Sequence, residues 1–141
     1  MALLCFALLC FALLCFALLS GFAHADNNQV VGCFSSGKIN VKFVQVSQDG
    51  ISLGYVKYSK SDKGIPLVFI SGSSAVNEDG RSDEYTSKWA EFIDGKLNGY
   101  YTIMSQGARF YQLTYKSKKN TITSFSDNTN AYNEEGTDCK W

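Results

Sequence analysis

Histidine is all but missing from this chain of 141 residues: the single one, His24, ends an uncharged N-terminal run. Proline occurs once, as Pro66, and arginine twice, as Arg81 and Arg109. Charge of either sign is in no excess, with 13 Lys and Arg against 13 Asp and Glu. Each scarcity closes a route. Beyond residue 24 there is no imidazole for a Ser-His-Asp or Cys-His hydrolytic pair, for general base work, or for a His-ligated zinc or copper. Zero net charge and two arginines argue against a nucleic-acid binder, because neutralising phosphates takes clustered cations. The one basic cluster, Lys116, Lys118 and Lys119 beside Asn120, reads as a solvated hairpin tip. Walker-type and dinucleotide glycine fingerprints are also absent.

What is present begins with a segment unlike the rest. From Met1 to Ala23 nothing is charged, and Cys-Phe-Ala-Leu-Leu recurs between Cys5 and Leu19. Ser20-Gly21-Phe22 interrupts the run, and Ala23-His24-Ala25 gives the small-x-small pattern read by signal peptidase. Residues 1–25 are therefore expected to be a cleaved signal peptide, with a mature domain from Asp26 to Trp141. A run of this length also meets the minimum for a membrane helix, so a retained anchor is the alternative. The N-terminal side lacks the basic residues that normally precede such a run.

Subtracting the signal changes the inventory of reactive groups. His24 goes, and of five cysteines only Cys33 and Cys139 remain. An even pair in an exported chain, one near each end, reads as a disulfide. The expected destination is the periplasm or the extracellular space, with no membrane association after cleavage.

The mature part reads as strands. Ile39, Val41 and Phe43 alternate with polar residues, and Val44 and Val46 then switch face, as at a bulge. Gln48-Asp49-Gly50 marks a hairpin turn. Ile51 to Tyr55 and Ile65 to Ile70 are further strands. Pro66 belongs at the start of the second or on an edge, because it cannot donate to a ladder. Ser71 to Asp83 reads as a long polar loop, Glu84 to Ile93 as a strand or short helix, and Asp94-Gly95 with Asn98-Gly99 as a turn. Tyr100 to Met104 and Ala108 to Lys116 form a hairpin across Ser105–Gly107, followed by a strand over Thr121–Ser126 and a polar tail. Seven to nine short strands in sequential hairpins predict an all-β, small antiparallel, barrel-like meander closed by the disulfide. A two-sheet sandwich is the alternative.

No catalytic, cofactor or metal site is expected. Carboxylate pairs are all that remains for an enzyme, and Glu78, Asp79, Asp83, Glu84 and Glu91 have no spacing that pairs them. Asn77 to Glu84 clusters oxygen ligands around Gly80, but without EF-hand spacing and with Arg81 in its midst. Phe43, Phe69, Phe110 and Leu113 read as core. Tyr100 and Tyr101 are neighbours on a strand, so one ring must face outward. Joined to Arg109 or Tyr111, it would make an exposed aromatic and cationic patch. The expected binding surface is Asn77, Asp79, Arg81, Tyr100, Gln106, Arg109 and Tyr111. The leading expectation is an exported, non-enzymatic protein that docks on another macromolecule as an inhibitor, immunity or surface-recognition protein. The runner-up is a carrier holding a small apolar ligand in the barrel mouth, and third comes a carboxylate-only hydrolase.

Overall fold

Two Asp-Gly pairs decide where the chain reverses. Asp49 and Gly50 adopt φ of 51° and 77°, and Asp94 and Gly95 adopt 51° and 73°. Two consecutive positive φ values make the tight turn whose twist matches that of the flanking strands, and Asp and Gly tolerate it best. In a computed structural model of the chain, residues 28–141 are described. The expected signal peptide, its cleavage site and His24 lie outside the described residues.

The elements are β1 (Asn28–Ser36), β2 (Ile39–Gln48), β3 (Ile51–Tyr58), β4 (Ile65–Ala75), β5 (Glu84–Ile93), β6 (Lys96–Gln106), β7 (Arg109–Ser117) and β8 (Ile122–Asp127). All pair antiparallel with their neighbours in sequence, and β1 meets β8 to close a barrel. The fold is the barrel, not the sandwich. Among the described residues there is no helix, so none could cross a membrane.

The inward faces fill the barrel. Phe34, Val41, Phe43, Val56, Leu67, Trp89, Tyr101, Ile103, Phe110, Leu113 and Phe125 form one buried cluster. Eight strands enclose a space that side chains of this size occupy. Phe43 packs edge-on against both Trp89 and Phe110, with ring centroids 5.6 and 5.2 Å apart.

A second, smaller cluster lies outside the wall. Val31, Cys33, Val44 and Ala131 are buried there, with Val46, Tyr55, Tyr132 and Cys139 packed around them. The tail after Asp127 covers the outer face of β1 and β2, and the Cys33–Cys139 disulfide pins it with Cα atoms 5.8 Å apart. This corrects the expected bulge in β2. Its ladders to β1 and β3 run without a register shift. Val41 and Phe43 face the barrel and Val44 and Val46 face the tail, so the strand is apolar on both sides.

Three further expectations change. Ser71–Ala75 is strand, paired with Lys88–Glu84 of β5, so the loop shrinks to Val76–Asp83. Asn98 and Gly99 lie inside β6, where a Cβ on Gly99 would stand 2.5 Å from the Tyr115 hydroxyl. Phe43, Phe110 and Leu113 are core as expected, but Phe69 remains 38% exposed although its ring packs on Trp89. The reason lies beside it: β3 and β4 pair only at Gly54–Leu67, Tyr55–Pro66 and Val56–Ile65. Pro66 does sit at the start of its strand. Phe69 lies past the last β3–β4 pair, at Leu67.

Candidate functional site

The β4–β5 hairpin runs past the last β3–β4 pair, and its tip is knitted by its own side chains. The Asn77 side-chain amide donates to the Ser82 carbonyl at 2.7 Å, and the Asn77 backbone N–H donates to Asp83 Oδ1 at 3.4 Å. Arg81 Nε donates to Asp79 Oδ2 at 2.6 Å, and the Arg81 backbone N–H reaches Asp79 Oδ1. Gln106, at the end of β6, donates to the same Ser82 carbonyl at 3.0 Å. This last bond ties the tip to the neighbouring β6–β7 turn.

Below the tip, Arg81, Glu84, Gln106, Arg109 and Tyr111 line one surface hollow of about 410 Å³. Burial first, and then the nearby Glu84 carboxyl, push the Tyr111 phenol up from its ordinary value. Arg109 donates to Asp127 Oδ2 through Nε at 3.0 Å and through Nη2 at 2.5 Å. Asp127 Oδ1 accepts from the Tyr132 hydroxyl at 2.8 Å, and that hydroxyl accepts from the Cys33 N–H at 3.0 Å. Arg109 is thus a closing residue of the β1–β8 seam as well as a rim residue. Six of the seven expected surface residues therefore meet at one barrel end.

Tyr100 does not join them. It stands six residues before Gln106 on β6, roughly 20 Å away along an extended strand. Its partner across the hairpin is Lys116, and the Lys88 ammonium lies 4.4 Å from its ring centroid. The neighbouring Tyr101 points inward and is fully buried, so the pleat does send one ring out and one in. The expected patch with Arg109 or Tyr111 does not form; Tyr100 meets Lys88 and Lys116 instead, on a different part of the wall.

The acids do not converge. Glu84 and Glu91 lie seven residues apart on β5, roughly 23 Å along the strand. Glu91 faces into the barrel, 3% exposed, on the same side as Trp89. Its Oε1 accepts from the Asn98 side-chain amide at 2.5 Å and from the Tyr115 hydroxyl at 3.1 Å. Its Oε2 accepts from the Tyr101 hydroxyl at 2.9 Å. Since Tyr101 spends its proton on Glu91, the Tyr58 hydroxyl, 2.7 Å away, donates to Tyr101. Burial first, then Tyr58 and then Glu91, raise Tyr101 far above the ordinary phenol range, and burial followed by Glu91 raises Tyr115 to about 12. The arrangement is a carboxylate solvated by protein donors, closing one barrel end from inside. The sequence carried a signal for it that went unread: Glu91 shares strand parity with buried Trp89.

Among the described residues no three His, Cys, Asp or Glu side chains gather as metal ligands. No protein-family model, no curated protein and no solved structure matches the chain.

Proposed function

We propose that the mature chain is an exported, non-enzymatic docking protein that engages another macromolecule with the barrel end formed by the β4–β5 tip and the β6–β7 turn. One observation carries this reading: the tip hydrogen-bonds internally and to Gln106, so Asn77, Asp79, Arg81 and Gln106 are held in place before any partner arrives, as Arg109 is by Asp127. Contacts held in advance cost little ordering on binding. The disulfide fits an oxidising compartment. The filled interior favours a surface mode of action over a carried ligand.

The test is capture from the host's own exported fraction by the disulfide-bonded protein, in parallel with an Arg81→Ala/Tyr111→Ala variant. A stoichiometric macromolecule held by the wild type and released by the variant supports the proposal. Co-purification of a small apolar molecule, with no macromolecule, turns the reading to the carrier. Mass spectrometry of the exported protein checks the rest of it, through a start at Asp26 and the two-hydrogen deficit of the disulfide.

A further inference from the structure

The β3–β4 seam leaves two stretches of strand without a lateral partner. Val68–Ala75 pairs with β5 alone, and Ile51–Leu53 pairs with β2 alone. Backbone N–H and C=O groups on the open side of such strands form a template for another strand. Exposed apolar side chains collect at the same place: Ile51 and Leu53 are 63% and 65% exposed, and Val68 and Ile70 are 52% and 50%. From Val68 to Asn77 there is no charge and no proline, the usual protections of an edge. The bulge at Ile70 is the single irregularity of the β4–β5 ladder.

We infer that this edge pairs with the same edge of a second copy, β4 against β4, antiparallel about a two-fold axis near Ser71 and Gly72. Charge decides for a copy of the chain itself. Antiparallel pairing carries the tip of each molecule, where Glu78, Asp79 and Asp83 outnumber Arg81, towards the other's Ser59–Gly64 turn, where Lys60 and Lys63 outnumber Asp62. Along the paired segment itself no charges meet. The interface is isologous and closed, so it yields a dimer and not a fibre. The Tyr85 ring fills the space over Gly72 where a Cβ would stand, so the small residue at the axis leaves only its backbone for pairing.

This inference does not rest on the docking reading, although it sets Asp79 and Arg81 of the same tip beside the second copy. Sedimentation equilibrium of the disulfide-bonded exported protein, from low to high micromolar, measures it directly. The expected result is a mass that doubles with concentration. Ser71→Lys, or Val68→Lys should that variant misfold, weakens association by about tenfold or more, equivalent to about 1.4 kcal/mol. Its near-ultraviolet circular dichroism stays unchanged. An equimolar mixture of Ser71→Lys and Ser71→Asp recovers the dimer, because opposite charges now face each other at the axis. A protein that stays monomeric throughout overturns the inference. So does a dimer indifferent to these charges, or a mixture that fails to associate.

Discussion

The barrel has two narrow seams, and they are treated differently. β1 and β8 share only the pairs Phe34–Asp127 and Ser35–Ser126, while β3 and β4 share three. Six hairpin ladders besides these are long, so the wall is strong everywhere except at the two seams. At β1–β8 the tail folds across the outside, with the disulfide, the Arg109–Asp127–Tyr132 chain and the bond from the Asn128 N–H to the Cys33 carbonyl at 2.7 Å. At β3–β4 no tail intervenes. There the closure comes from within, where Tyr58 of β3 reaches Tyr101 of β6 and so joins the Glu91 network. One seam is sealed by covalent and apolar cover on the outside. The other is sealed by buried polar bonds at one end and left open at the other.

The largest expected effect comes from removing the outer staple. A Cys33→Ser/Cys139→Ser variant frees two positions 106 residues apart. On the chain-entropy account this costs about 4–5 kcal/mol, nearly the whole stability of a small domain. Chemical denaturation should show a large fall in midpoint. Hydrogen exchange should rise first at Cys33 and Asn128, with the β5–β6 ladder holding longest. Uniform exchange throughout the barrel would mean that the seams are not separate units.

This asymmetry also explains what the sequence disclosed. Hairpin positions were legible because Asp49-Gly50 and Asp94-Gly95 are local signals for a turn. The disulfide was legible once the N-terminal cysteines were set aside. The second face of β2 was not, since Val44 and Val46 are buried by a tail some ninety positions away and local alternation then looks like a bulge. Ser71–Ala75 looked like a loop because its composition is that of a loop, and only pairing with β5 makes it a strand. Six of the seven expected surface residues lie at one barrel end because the loop, the turn and the start of β7 that carry them are local features of the sequence. Tyr100 was misplaced because its position depends on counting along β6, and Arg109 gained a partner, Asp127, that no spacing rule supplies.

Next in size is the inner seal. Glu91→Ala leaves the Tyr101 hydroxyl and the Asn98 amide buried without their acceptor, at a cost of about 3 kcal/mol. Glu91→Gln keeps an acceptor and should cost less, so the two variants separate lost hydrogen bonding from lost volume. Alkali probes the same seal. Tyr115 is raised to about 12 by burial and by Glu91, so the folded state holds its proton more tightly than the unfolded chain. Its contribution is complete below pH 10 and is lost as pH climbs towards 12. Tyr132, at the outer seam, is raised to about 12 as well, by burial and by its bond to Asp127. Phenolate absorbance of Tyr115→Phe and Tyr132→Phe variants, followed with unfolding, should show each seam contributing to alkaline loss. No change in either variant would remove both tyrosines from the account.

Gly54 tests the open seam at its last pair. A Cβ there would meet the Trp89 ring at 2.8 Å, and the indole is fixed by its N–H bond to Ser87 Oγ at 2.9 Å. Gly54→Ala must therefore push β3 outward, costing about 2 kcal/mol as overpacking. Faster exchange at Val56 and Leu67, with Cys33 unaffected, is the expected pattern. An alanine variant of wild-type stability would mean that β3 moves freely at this point.

The smallest effect belongs to the ion pair between β2 and the tail. Lys42 Nζ lies 2.8 Å from Asp138 Oδ1, and the Cys139 N–H donates to the same oxygen at 2.8 Å. The Lys42 hydrogen bond foremost holds the Asp138 carboxyl below its ordinary value of 3.8. A lowered folded pKa means that the unfolded chain takes up the proton first. The pair's contribution is thus present above the ordinary value and lost as pH falls through the lowered one. Because the Asp138 side chain is 58% exposed, screening limits the effect to a few tenths of a kcal/mol. The melting-temperature difference between wild type and Asp138→Asn should narrow on acidification and narrow again in high salt. Exchange at Cys139 should quicken in acid while Leu67 stays as it was. If Leu67 loosens with it, acid acts on the whole barrel, and the outer cover is no more independent of the open seam than any two ladders of one sheet.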